Sequence, residues 1–242
     1  MLLHPGIGDR RLWDDQLEVF AWNHRVVRPD IRGFGRSTMP PGPFSYHEDL
    51  AGLLDELKIP KASIVGVSFG GRIAIDFALA FPARVTALVL GAPSVSGAPA
   101  GEERARFEAE EEAAIECGDL DGATDLNVRT WVDGPHRSPE EVDPSVRERV
   151  RQAQRELFDL PVPQDVEYRR LVPPAYERLR DITAPTRVLI GDQDLDEVQD
   201  VAARVAAQVP GAELIRMPGV GHMLQMEQPA EFNRLVLEFL DR

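Results

Sequence analysis

The sequence predicts an α/β fold in which a mostly parallel sheet carries helices on both faces. Two observations predict it. Towards both ends of the chain, short apolar runs rich in β-branched residues alternate with stretches that have apolar residues at helical spacing. In the middle, this alternation gives way to charged helical patterns, which indicates a helical insertion. A length of 242 residues suits one domain of this kind.

Five runs are predicted to be buried strands, because each is short, apolar and ends near Gly, Pro or Asp. They are residues 26–30, 62–67, 87–93, 187–192 and 212–218. Four helices are predicted between and after them, at residues 46–57, 72–81, 197–209 and 229–240. Strands that alternate with helices in this way favour a parallel sheet.

A hinge rich in Gly, Pro and Ser (92–101) precedes the insertion. From residue 102 to about 180 the pattern predicts three or four helices and no strands. The expected division is a core of residues 1–97 and 181–242 with a helical cap of residues 98–180. The charged runs of the cap are interpreted as solvated helix faces. The alternative interpretation is that some apolar residues of the cap line a pocket.

Composition excludes several classes of function. A net charge of −14 argues against a nucleic-acid partner, which needs basic surplus to displace counterions. The single cysteine, Cys117, cannot form an internal disulfide. No basic and apolar leader and no run of roughly 20 apolar residues is present, so we expect a cytoplasmic protein without a membrane span. The sequence does not predict the oligomeric state.

The five residues GVSFG (66–70) follow a predicted strand and precede a predicted helix. This context is the one in which G-x-S-x-G places a nucleophilic serine on a strained turn, with small neighbours avoiding a steric collision. The backbone N–H of Phe69 would then face a developing oxyanion. A plain glycine-rich loop is the alternative, whereas a dinucleotide-binding turn is excluded because the G-x-G-x-x-G spacing is absent. Ser68 is the candidate nucleophile.

A serine nucleophile needs a base and an orienting acid. Among five histidines, His222 lies in a glycine-bearing loop after the predicted strand 212–218, at the strand end where active sites of open α/β sheets gather. The loop after strand 187–192 supplies Asp192, Asp194 and Asp196 as candidate acids. Asp194 is preferred because it lies further into the loop, where it can reach the histidine.

Four motifs now carry a family resemblance: LLHPGIG, DIRGFGRS, GVSFGG, and GDQD with GVGH, which together span residues 2–222. The chain resembles serine hydrolases of the α/β-hydrolase superfamily, in the branch of esterases and 3-oxoadipate enol-lactonases. The resemblance implies a helical cap, supports Asp194 as the acid of G-x-x-D, and assigns the second oxyanion N–H to Gly6, with Ile7 as the alternative. It also implies that His4 is structural. The family pattern also implies two antiparallel strands before the first motif, and we expect this chain to lack them.

The resemblance implies hydrolysis of a small ester or lactone through an acyl-enzyme, with no metal and no organic cofactor. Trp131 is a candidate pocket residue that could close over the site, although helix packing is its other interpretation. Carbon–carbon bond hydrolases and cofactor-free haloperoxidases share the same triad. A non-catalytic small-molecule-binding protein of the same fold is the alternative from another class.

Overall fold

The structure is a computed structural model that describes residues 1–161 and 164–242. Its strands are β1 (Leu2–Leu3), β2 (Gly42–Phe44), β3 (Ala62–Val67), β4 (Val85–Gly91), β5 (Val166–Tyr168), β6 (Thr186–Gly191) and β7 (Glu213–Met217). Its helices are α1 (Asp14–Ala21), α2 (Tyr46–Glu56), α3 (Phe69–Ala80), α4 (Glu102–Glu116), α5 (Leu120–Val128), α6 (Pro144–Phe158), α7 (Ala175–Arg178), α8 (Asp196–Gln208), α9 (Leu224–Glu227) and α10 (Pro229–Leu240).

The central sheet has the strand order β1-β3-β4-β6-β7 within the described residues, and all its pairings are parallel. Its middle strands are apolar on both faces, as in β3, where Ile64, Val65 and Val67 are buried. The α/β class, with its mostly parallel sheet and flanking helices, is therefore confirmed. Parallel strands end at the same edge of the sheet, and the loops that follow β1, β3, β6 and β7 meet there.

One predicted strand does not form. Residues 26–30 have no strand assignment, and they join β1 only where the N–H of Leu2 donates to the carbonyl of Val27 at 2.8 Å. Pro29 has no N–H to donate to a ladder, and the side chains at 26–29 are only half-buried. An apolar run with one backbone hydrogen bond to its neighbour and half-buried side chains gains too little to form a strand.

The segment between β4 and β6 contains α4 to α7, and it also contains a strand that the sequence did not predict. β5 pairs in parallel with β2, so that Gly42 lies opposite Val166 and Phe44 opposite Tyr168. The Phe44 and Tyr168 rings lie 5.4 Å apart. Three-residue strands are too short to show a period in the sequence, and this cross-strand ring contact stabilises the pair.

Two apolar clusters hold the molecule together. The larger one surrounds the sheet. The second apolar cluster lies between the inserted helices and the loops at the sheet edge; its buried members are Leu12, Val128, Val132, Val142, Val146, Val150, Ala153, Met223 and Met226. Because Met223 comes directly after His222, this cluster fixes α5 and α6 against the loop that carries the histidine.

Candidate active site

Ser68 occupies a strained turn between β3 and α3. Its φ is +54° and its ψ is −115°, a backbone conformation that residues other than glycine rarely adopt. Backbone hydrogen bonds hold it there: the N–H of Ser68 donates to the carbonyl of Gly91 at 2.9 Å, and its carbonyl accepts from the N–H of Arg72 at 3.0 Å and of Ser94 at 3.2 Å. The turn is therefore fixed from both β4 and α3.

The glycines of GVSFG are required by close backbone approaches. A Cβ on Gly66 would lie 2.4 Å from the carbonyl oxygen of Gly70, and a Cβ on Gly70 would lie 2.1 Å from the carbonyl oxygen of Leu3. Atoms cannot approach so closely without a shift of the backbone. The start of α3 thus packs against β3 on one side and against β1 on the other, and neither contact leaves room for a side chain.

His222 and Asp194 form a buried pair on the neighbouring loops. The Nδ1 atom of His222 lies 2.8 Å from Oδ2 of Asp194, and the two residues are 4% and 1% exposed. The other carboxylate oxygen, Oδ1, accepts the N–H of Leu195 at 2.8 Å. With both oxygens engaged, the carboxylate has a fixed orientation and holds the imidazole in the tautomer with a proton on Nδ1.

The other two aspartates of the loop have different partners. Asp192 accepts the N–H of Gly219 at 2.7 Å and the side-chain amide of Gln193 at 2.9 Å. Asp196 is exposed and lies 3.5 Å from the exposed His136. Asp192 therefore supports the loop before His222, and Asp194 contacts the histidine itself.

The backbone N–H groups expected to face an oxyanion are at the same edge. Phe69 is the first residue of α3, so its N–H has no acceptor within the helix. Gly6 and Ile7 lie in the turn after β1, and their N–H groups have no backbone acceptor among the described residues. Both positions remain available as the second donor.

A cavity of about 690 Å³ joins these groups. Ser68, Phe69, Gly6, Ile7 and His222 line it, whereas Asp194 lies behind the histidine and does not. The cavity is also lined by residues of the inserted segment. A volume of this size is typical of small-molecule sites, which are generally about 300–1,000 Å³.

Trp131 lies against the histidine. Its ring centroid is 4.8 Å from that of His222, and it also meets Phe107 edge-on at 5.3 Å. It lies in a single π-helical turn, Arg129–Asp133, that follows α5. Trp131 lines the cavity, and it also packs against Phe107 of α4. The structure is therefore compatible with both interpretations made from the sequence, a pocket residue and a helix-packing residue.

Sequence reasoning missed the polar groups that the inserted helices present to the cavity. Asn127 donates to Glu111 at 2.5 Å, and burial raises the pKa of the Glu111 carboxyl despite this hydrogen bond. Gln154 is 3% exposed, and its Oε1 atom has no hydrogen-bond partner in the part of the chain that the structure describes. Sequence reasoning also missed Arg72, which belongs to α3 and follows the glycine pair of the turn. Its guanidinium lies over the rings of Phe69 and Tyr168. Only Arg72 had a sequence signal, its place one turn after Ser68.

His4 is buried beneath the same edge but has a different environment. Its Nδ1 atom lies 2.8 Å from the carbonyl oxygen of Pro5, and its Nε2 atom lies 3.0 Å from the backbone nitrogen of Ile31. An Nε2 that accepts an N–H must be unprotonated, so Nδ1 carries the proton and donates to Pro5. Burial lowers the pKa of His4, consistent with a neutral ring.

A parallel sheet with a strained serine turn after one strand and a buried acid–histidine pair on two others defines a class of enzymes, the α/β-fold hydrolases. The chain belongs to the alpha/beta hydrolase family, whose model matches residues 1–235. The resemblance drawn from the four motifs is thereby confirmed, and the protein is an enzyme of that fold.

Three comparisons illustrate the membership. The chain is 30% identical over its full length, and over 86% of the relative, to a 2-hydroxy-6-oxononadienedioate/2-hydroxy-6-oxononatrienedioate hydrolase of Burkholderia vietnamiensis. It is 29% identical to Est816, an N-acyl homoserine lactone degrading enzyme, with a TM-score of 0.76 over 98% of this chain and 91% of that one. It is 26% identical to a thermophilic esterase of Thermogutta terrifontis, with a TM-score of 0.77 over 99% and 88%.

Two features are absent from the described residues. No helix in residues 1–161 or 164–242 is long and apolar enough to cross a membrane. Within the same ranges no group of three or more His, Cys, Asp or Glu side chains could hold a metal ion.

Proposed function

We propose that the protein hydrolyses a small ester or lactone through an acyl-enzyme on Ser68. The observation that carries the proposal is the geometry around one cavity: a serine on a strained turn and a histidine anchored by a buried carboxylate both line it. Two of the similar solved structures, an esterase and a lactone-degrading enzyme, support the ester and lactone classes.

In the proposed reaction, Nε2 of His222 takes the proton of Ser68 Oγ as that oxygen attacks the substrate carbonyl carbon. Asp194 keeps the Nδ1 proton in place and stabilises the imidazolium that forms. The imidazolium then gives its proton to the leaving alkoxide, which departs as an alcohol and leaves an acyl-serine. Water, activated by the same histidine, releases the acid and restores Ser68.

The developing oxyanion would receive hydrogen bonds from the N–H groups of Phe69 and Gly6. Each such donor is typically worth about 10² to 10³ in rate. The N–H of Phe69 lies at the N-terminus of α3, where the helix dipole also favours negative charge. Residues 98–180 would act as the cap, contributing Trp131 and the polar side chains of α4 to α6 to substrate binding.

Hydrolysis of a carbon–carbon bond with the same triad is a second candidate. It is favoured by the relative named as a hydrolase of 2-hydroxy-6-oxononadienedioate, which covers the chain completely. A substrate panel separates the two: p-nitrophenyl acetate and butyrate, a simple lactone, and a 2-hydroxy-6-oxodienoate.

The decisive experiment uses a fluorophosphonate probe on the folded protein, with the modified peptide identified by mass spectrometry. We expect Ser68 to be labelled and Ser68→Ala to be both unlabelled and inactive, with unchanged thermal unfolding. Ser94, whose hydroxyl donates to the carbonyl of Ser68 at 3.3 Å, provides the matched control, since Ser94→Ala should still be labelled. An unlabelled Ser68 in folded protein would refute the hydrolase mechanism and favour a small-molecule-binding role.

A further inference from the structure

A buried ion pair that the proposed reaction does not use lies beside the histidine loop. Arg137 and Glu227 have side chains only 8% and 7% exposed, and Nη1 of Arg137 donates to Oε2 of Glu227. Arg137 comes from the inserted segment, shortly after the π-helical turn, whereas Glu227 is the last residue of α9. The pair therefore joins the cap to the core.

The Glu227 side of the pair holds the backbone on both sides of His222. Its carboxylate accepts the N–H of Gly221 at 3.2 Å and the N–H of Met223 at 3.3 Å. These are the residues directly before and after the histidine. A carboxylate that accepts both N–H groups fixes the peptide group that directly follows His222 and the one between Val220 and Gly221.

The Arg137 side holds the turn that carries Trp131. Its guanidinium donates to the carbonyl of Val132 at 2.6 Å and to the carbonyl of Asp133 at 2.9 Å, and it reaches the carbonyl of Gly219 at 3.4 Å. One planar group thus bonds both the cap turn and the histidine loop. The carboxylate of Asp133 does not compete for it, because Arg147 binds that carboxylate at 2.7 Å.

We propose that the Arg137–Glu227 pair is a positioning element, which sets the place of His222 relative to Ser68 and of Trp131 relative to His222. It acts through the backbone and touches no substrate. The inference rests on the proposed function, since it assigns His222 the role of base. It adds that the cap helps to build the catalytic geometry as well as the binding cavity.

A general base must lie at a precise position relative to the nucleophile. A histidine displaced by about 1 Å can reduce a rate on the order of 10²-fold. His222 has Asp194 on one ring atom and Trp131 against its face. Along the backbone, Glu227 accepts the N–H groups of both neighbouring residues, and the N–H of Gln193 donates to the carbonyl of Val220 at 2.9 Å. Loss of the carboxylate should therefore let the ring move while substrate binding in the cavity stays nearly the same.

The test compares Glu227→Gln and Arg137→Met with the double variant Arg137→Met/Glu227→Leu. Each single variant leaves a buried charge uncompensated, which lowers stability, whereas the apolar double variant removes both charges and regains part of that stability. We expect all three to lose kcat about 10- to 100-fold with KM changed less than about threefold, and to react correspondingly slowly with the fluorophosphonate probe. In the double variant kcat therefore stays low although stability recovers in part, so the loss of kcat cannot be ascribed to the loss of stability.

The matched control is Arg151→Met, which removes a more exposed ion pair with Asp125 between α6 and α5 and should leave kcat unchanged. Recovery of kcat together with stability in the double variant, or a loss confined to KM, would overturn the positioning role. The failure of the proposed function looks different: in that case Ser68 of the unaltered protein does not react with the probe at all. Labelling at equal rates in all variants would refute the positioning inference alone.

Discussion

Two buried histidines lie at the same edge of the sheet, and their surroundings differ at each ring nitrogen. His4, in the loop after β1, is bonded on both sides by backbone: the carbonyl of Pro5 and the N–H of Ile31. His222, in the loop after β7, has a carboxylate on Nδ1, and no described protein group hydrogen-bonds its Nε2 atom. Both ring nitrogens of His4 are therefore occupied. In His222 the Nε2 atom is free to accept a proton, while the carboxylate at Nδ1 holds the ring in place.

This difference is the one expected between a structural histidine and the proposed catalytic histidine, and it does not depend on position in the sequence. A ring with both nitrogens satisfied by backbone groups ties two loops together and prefers to remain neutral. A ring held by a carboxylate, with its second nitrogen unbonded beside a cavity, can accept a proton and be stabilised once it has done so. The predictions that follow alter the surroundings of one histidine or the other, and the last applies the same reasoning to two glutamines.

The largest expected effect is on the His222 side. His222→Ala should lower kcat for a p-nitrophenyl ester on the order of 10⁴- to 10⁶-fold, because the base is removed. His4→Phe should retain activity within about tenfold but lower the unfolding free energy by about 1–3 kcal/mol, since the N–H of Ile31 loses its acceptor. Steady-state kinetics and urea unfolding measure the two outcomes. Equal losses of kcat in folded variants of both kinds would contradict the comparison.

The next effect concerns the carboxylate behind the histidine. Asp194→Asn should lower kcat about 10⁴-fold, because an amide that donates to Nδ1 favours the wrong tautomer. Asp192→Asn keeps an oxygen that can accept the N–H of Gly219, so its kcat should fall less than about tenfold. The opposite order of these two losses would make Asp192 the acid.

The sequence specified the sheet strands β3, β4, β6 and β7 to within one or two residues, because buried apolar runs with clear ends carry a local signal. It also placed Ser68 at its turn, since G-x-S-x-G encodes a steric need that the structure locates at Gly66 and Gly70. Residues 26–30 were wrongly predicted as a strand, because composition does not reveal whether a neighbour will pair. The same limit hid β5 and its pairing with β2.

What the sequence left open at the site depends on contacts between distant segments. Asp192 and Asp194 differ by two positions, and only the folded loops show that Asp194 meets His222 while Asp192 meets Gly219. The same holds for Glu227 and Arg137, which are 90 residues apart, Glu227 at the end of a short helix and Arg137 in a loop. No period or motif marks a pair of this kind.

A smaller effect appears as a pH dependence of stability on the His4 side. Burial holds the pKa of His4 below its ordinary value of 6.5, so between that lowered value and 6.5 the unfolded chain binds a proton that the folded chain does not. The stabilisation from neutral His4 is therefore complete above about pH 6.5 and declines as the pH falls through the folded pKa. The stability difference between the unaltered protein and His4→Phe should shrink as urea unfolding is repeated from pH 7.5 to pH 5. A difference that stays constant would mean that His4 does not titrate differently on folding.

The smallest effect extends the same reasoning from histidines to amides. Gln154 lines the cavity and Gln16 is buried away from it, and the Oε1 atoms of both lack a hydrogen-bond partner among the described residues. They differ in that the Nε2 atom of Gln16 donates to the carbonyl of Gln225 at 2.8 Å. Replacement of an unpaired buried amide by an apolar group of similar shape is neutral or stabilising, so Gln154→Met should raise the unfolding free energy by up to about 1 kcal/mol. Gln16→Met leaves the Gln225 carbonyl without its donor and should lower it by about 1 kcal/mol. Urea unfolding at constant slope compares the two; a loss in both would mean that Gln154, like His4, is satisfied within the fold and is not kept unpaired for a ligand.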